Sequence, residues 1–150
     1  MIDDLKILIP EFPERNDVSE NVFQNWISSV GSYQLAAGYS FLFWPPFVQF
    51  EQYVFLASNF AEENLREWER GTGNNRQAIE AVINHIHLVD LHMDDPDPSE
   101  AQLRHLGRVL RETFEAKLGR DFPDLKFEVV FNDEPDLFHE DYEVTFWQTD

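Results

Sequence analysis

The sequence has no cysteine. A disulfide framework, thiolate chemistry and a cysteine-ligated zinc site are therefore excluded. Positive charge is also scarce. Eleven Lys and Arg stand against 29 Asp and Glu, giving a formal net charge of −18. Such a chain repels phosphates, so no nucleic-acid partner is expected. No apolar run approaches the roughly eighteen residues of a membrane span, so no membrane partner is expected either. The opening MIDDLKILIPEF carries acids where a secretory signal needs a basic region. Together these absences lead to the expectation of a cytoplasmic protein.

Recognisable catalytic signatures are missing too. There is no HExxH, no Walker loop, no nucleophile elbow and no serine–histidine–aspartate arrangement in a recognisable context. Gly71 to Asn75, GTGNN, has the look of a phosphate loop. However, a helical segment precedes it, and Arg76 stands where a third glycine belongs. The acidic runs at Asp94–Glu100 and Asn132–Asp136 lack the glycine turn and final glutamate of a calcium loop. No catalytic residue, cofactor or metal is assigned.

What is present is a chain of 150 residues, enough for one globular domain (1–150) with a sizeable core. Aromatic residues make up 15%, with 14 Phe and 4 Trp, more ring surface than one small core needs. Residues 1–16 read as an N-terminal arm or a short helical turn, with the apolar run Ile7–Ile9 stopped by Pro10 and Pro13. Asp17 with Glu20 resembles a capping box ahead of the stripe Val18, Val22, Phe23, Trp26, Ile27 and Val30, which Gly31 ends. Ser32 caps a second helix that Pro45 and Pro46 close, with a strand over Tyr39–Phe43 as the alternative. Phe47 to Ala57 reads as a tight hairpin or a bent strand around Glu51-Gln52. A helix from Phe60 to Arg70 follows, capped by Ser58 or Asn59 and stopped by Gly71.

Asn74 to Met93 carries Ile79, Val82, Ile83, Ile86, Val89 and Met93 at steps of three and four, which predicts one long central helix. Asn74 or Asn75 is its expected cap. Asp97, Pro98 and Glu100 then predict a helix start, with a core face of Leu103, Leu106, Leu110, Phe114 and Leu118 and a stop at Gly119. Leu125–Phe131 and Tyr142–Gln148 alternate apolar and polar residues, as half-buried strands do. The expected fold is α+β: about five helices on one small antiparallel sheet, with strands near 47–57, 125–131 and 142–148.

Two candidate sites emerge. The first is acidic: the loop residues Asp133, Glu134, Asp136, His139, Glu140 and Asp141, with Trp44 and Phe47 as an aromatic docking surface. It suits a non-enzymatic module that meets a basic protein partner. Inhibitors that neutralise basic nucleases, the immunity proteins, share its charge and size. The alternative is a small enzyme or ligand-binding protein with a pocket at Asn84, His87 and Asp90, where a carboxylate three residues on orients an imidazole. On a helix His85 and His87 point about 200° apart, and His85 and His92 lie roughly 10 Å apart, so neither pair shares a metal. A homodimer formed through the aromatic surface is a further reading.

Overall fold

The computed structural model describes residues 2–12, 22–92 and 97–150. The expected capping box at Asp17 and Glu20, the stop at Pro13 and the break at Asp94-Asp95-Pro96 lie outside them. The chain divides into two units, Met1–Ser40 and Phe41–Asp150.

In the first unit α1 spans Ile2–Leu8 and ends ahead of Pro10, where the backbone tightens through Phe12 N–H to Ile9 O at 2.9 Å. α2 spans Val22–Val30. Its Trp26 packs on buried Phe12 with ring centroids 5.9 Å apart. α3, Tyr33–Phe43, whose last three residues belong to the second unit, begins where expected: the Ser32 hydroxyl accepts from Leu35 N–H at 3.1 Å.

The second unit opens on a hairpin of β1, Phe47–Phe50, and β2, Tyr53–Leu56, turning at Glu51-Gln52 as anticipated. Glu51 takes a positive φ of 53°, and Arg66 binds its carboxylate through both terminal nitrogens. Every residue of β2 is buried. Tyr53 and Phe55 join Leu65, Ile79 and Ile83 in one cluster. Val54 and Leu56 join a larger one with Leu110, Phe114, Val144 and Phe146. The strand therefore divides two cores, one on each of its faces.

α4, Glu62–Thr72, starts two residues later than expected, because the Asn59 side chain donates to the carbonyls of Ile83 and His85 instead of capping. It also runs past Gly71 to Gly73, whose φ of 64° suits a residue without Cβ. Asn75 caps α5 as expected, accepting from Ala78 N–H at 3.2 Å.

α5 covers only Arg76–Ile83. The long helix read over Asn74–Met93 is not formed. After Asn84 the chain becomes β3, Ile86–His87, and then a 3₁₀ turn, Leu88–Leu91. The physical reason is a competing partner. Ile86 and Leu88 alternate with His85 and His87, a period-two pattern hidden inside the helical count. The ladder Ile86↔Val144 and His87↔Glu143 exploits it.

α6, Glu100–Asp121, begins at Ser99 rather than Asp97. Ser99 and Gln102 form a reciprocal capping box that satisfies two N–H groups, which outcompetes a single aspartate cap. Gly119 does not stop it. Leu103, Leu110, Phe114 and Leu118 are buried as the stripe predicts. Gly107 is buried as well, at a point where an added Cβ would run into the Phe131 ring. β4, Lys126–Phe131, and β5, Glu143–Thr149, match the two alternating segments.

The class is α+β, as expected, with six α-helices among the described residues. The strands do not join into one sheet, however. β1-β2 is a separate hairpin, and the other sheet has the order β3-β5-β4, all antiparallel. Side chains of α5 bridge the two. Glu80 accepts from Val54 N–H at 2.8 Å, from Gln148 N–H at 2.7 Å and from the Gln148 side-chain amide at 2.5 Å. One turn on, Asn84 accepts from Leu56 N–H at 2.9 Å and donates to the carbonyls of Val54 and Phe146. Both side chains are fully buried. They replace the ladder that β2 and β5 do not make, so the facing backbone groups are not orphaned. Burial pushes the Glu80 carboxyl pKa up, and the hydrogen bonds from Gln148 and Val54 only partly offset this.

Candidate functional site: an acidic cleft

The site is built on two irregular stretches. The first is the 3₁₀ turn after β3, pinned by Leu88 N–H donating to Tyr142 O at 3.0 Å. The second is the β4–β5 connection, held at its stem by α6. Asp133 is gripped by Arg104 and by Arg108, the latter at 2.7 and 3.0 Å. Arg104 also donates to the carbonyls of Asp133 and Glu134 at 3.1 and 2.9 Å and lies over the Tyr142 ring. Burial alone would raise the Asp133 pKa, but the two guanidinium groups outweigh it and hold the carboxyl below the usual aspartate range. At the other stem the Asn132 amide donates to Asp141 O at 3.0 Å. Asp136 sits at φ 60°, a left-handed turn between them.

This anchoring brings the far end of the loop beside the 3₁₀ turn. Between them lies a cleft of about 680 Å³. Val89, Asp90 and His92 form one wall, and Asp97 and Pro98 at the entry to α6 form a second. Leu137, Phe138, His139 and Glu140 form the third. Three acidic residues and two histidines therefore line one space, and among the described residues no lysine or arginine lines it. Phe138 projects from the rim, 78% exposed.

The histidines at the edge of this region are held in defined tautomers. His85 donates Nδ1–H to Val82 O at 2.5 Å, and His87 donates Nδ1–H to Glu140 O at 2.9 Å. A carbonyl can only accept, so the proton sits on Nδ1 in both rings. Their centroids are 5.0 Å apart, edge to face. Among the described residues no three histidine, aspartate or glutamate side chains gather as a metal site requires.

The structure brings together parts of both sequence-derived sites. Asp90, His139 and Glu140 share the cleft, and His87 supports it from behind through the Glu140 carbonyl. Asn84 is elsewhere, sealed in the bridge between the sheets. Asp133 is a structural anchor, whereas Glu134, Asp136 and Asp141 stay exposed on the loop. Trp44 and Phe47 are not part of the cleft. Phe47 packs on Phe114 and Phe146, with centroids 6.0 and 5.3 Å away, and Trp44 remains 41% exposed with the Lys117 ammonium over its ring.

Sequence reasoning did not include Val89, His92, Asp97, Pro98, Leu137 and Phe138 in a site. Asp97 looked like a helix cap. For Phe138, an aromatic residue among acids was the one available signal.

No protein-family model, curated protein or solved structure matches this chain. Among the described residues, no helix is long and apolar enough to cross a membrane.

Proposed function

We propose that this is a non-enzymatic protein-binding module whose acidic cleft receives a basic side chain of a protein partner. The observation that supports this is the cleft's composition: Asp90, Asp97 and Glu140 line it, and among the described residues no lysine or arginine does. Val89, Leu137 and the exposed Phe138 add the apolar contact that the stem of a lysine or arginine uses, and Phe138 offers a ring face to its charge. Glu134, Asp136 and Asp141 extend the negative field beyond the cleft and would speed encounter more than they tighten the complex. An immunity-type inhibitor of a basic protein, acting in the cytoplasm, is the specific form of this reading.

The test has two stages. Native mass spectrometry of the protein taken gently from its host identifies a co-purifying basic partner. Titration of that partner against Asp90→Asn/Glu140→Gln then locates the contact. At least about tenfold weaker binding is expected, equivalent to roughly 1.4 kcal/mol, along with a reduced salt dependence. Unchanged affinity would remove the cleft from the interface. A bound small molecule and no partner would instead favour a ligand-binding role for the same cleft.

A further inference from the structure

A different surface, in the first unit, is free of charged residues. From Asn21 to Phe50 the chain contains no Asp, Glu, Lys, Arg or His, although more than a quarter of all its residues are charged. α2 lies inside this stretch and buries none of its residues. Trp26 on one side packs against Phe12, which leaves a second apolar stripe on the helix. Phe23, Ile27 and Val30 form it, spaced four and three residues apart and 43, 45 and 59% exposed. This is the spacing of a seam between packed helices. Tyr33 and Leu35, exposed at 97 and 46%, continue it onto the start of α3.

We infer that this stripe is a homodimer interface in which α2 packs on α2 of a second copy. Charge selects the occupant. Two chains at −18 repel strongly, so they can meet closely only across a face from which charge is excluded. A basic partner gains nothing from such a face, since it offers no carboxylate. A bilayer is a poor occupant. α2 and α3 are only about 14 and 17 Å long against a hydrocarbon core of about 30 Å. A second copy presents the same uncharged stripe. A two-fold axis near Ile27 sets Phe23 of each copy against Val30 of the other, a self-complementary arrangement. The stripe offers only a few side chains per copy against the roughly 20–30 residues a side of a standard interface, so dissociation in about the micromolar range is expected.

Sedimentation equilibrium of the full chain over a concentration series tests this. A reversible dimer is expected, and added salt should strengthen it by screening the repulsion. Salt would weaken a complex at the acidic cleft, so the two interactions are distinguishable. Ile27→Glu is expected to give a monomer with an unchanged far-ultraviolet circular dichroism spectrum. If that variant loses helix, Val30→Glu, at a more exposed position of the stripe, serves instead. A monomer at every concentration overturns the inference, as does a dimer indifferent to the substitution. Flotation of the chain with phosphatidylcholine vesicles, lost in the same variant, would overturn it in favour of lipid.

Discussion

Replacing Glu80 with glutamine changes one atom, and the structure predicts a large effect from it. All three groups that meet the Glu80 carboxylate are donors: Val54 N–H and the Gln148 side-chain amide at one oxygen, and Gln148 N–H at the other. A glutamine has only one oxygen. In its better orientation its amide NH₂ faces the Gln148 backbone N–H, and both donors lose their partner. An unsatisfied buried group costs about 1–3 kcal/mol. At about 4 °C per kcal/mol for a chain of this size, Tm should fall by about 4 to 12 °C at neutral pH.

The pH dependence carries a second sign. The Glu80 pKa is raised in the folded protein by burial. Between its unfolded value and this raised value the native state holds more protons than the unfolded state. The Glu80 contribution to stability therefore falls as pH rises through that window, then levels off. The Gln variant has no such dependence. Urea denaturation of both proteins across this range gives the difference directly, since the many other acids cancel. The gap between wild type and variant should narrow as pH rises above the ordinary glutamate value, yet stay positive. A Gln variant as stable as wild type at neutral pH would refute the reasoning, because the two unmatched donors would then carry no cost.

Other perturbations follow the same logic. Asn84→Asp sets a carboxylate oxygen against the carbonyls of Val54 and Phe146, and should destabilise the fold by more than about 3 kcal/mol in chemical denaturation. Gly107→Ala gains up to about 1 kcal/mol in helix propensity, but its Cβ meets the Phe131 ring; a net loss of about 1–2 kcal/mol by thermal melting is expected. Asp133→Asn frees the loop stem from Arg104 and Arg108, and amide hydrogen exchange at Asn132–Glu134 should accelerate. Because the Asp133 pKa is lowered, that acceleration should be present above the ordinary aspartate range and fade as acid protonates the wild-type carboxyl.

The elements readable from sequence are those whose partner lies along a uniform face. Leu103, Leu110, Phe114 and Leu118 repeat over about four turns, and no other period fits them. The alternation from Tyr142 to Gln148 is equally unambiguous, and even Gln148, polar at an inward position, was readable as part of the strand. The segment from Ile83 to Leu91 was not readable, because it satisfies two periods at once. β5, some sixty residues away, decides between them, and no local pattern reports it. Glu80 presents the same difficulty: a glutamate on a helix reads as a wet residue until Val54 and Gln148 are seen to converge on it. Both acidic stretches of the cleft were visible as charge. Their meeting was not, because it depends on Arg104 and Arg108 holding the stem of a loop whose own residues give no direction.

The order of strands has a bearing on how the second unit comes into being. β5, the last element, lies between β3 and β4, which do not touch each other. It also brings Gln148, which supplies two of the three donors to Glu80. A chain emerging from its N-terminus can make the β1-β2 hairpin and the helices, but each then waits with a strand edge open and a carboxylate half-satisfied. Closure comes as one late event that spans most of the sequence, so partly folded forms should be sparse and short-lived at equilibrium. Loss of β5 alone would leave nothing of the three-stranded sheet, since it would remove the centre.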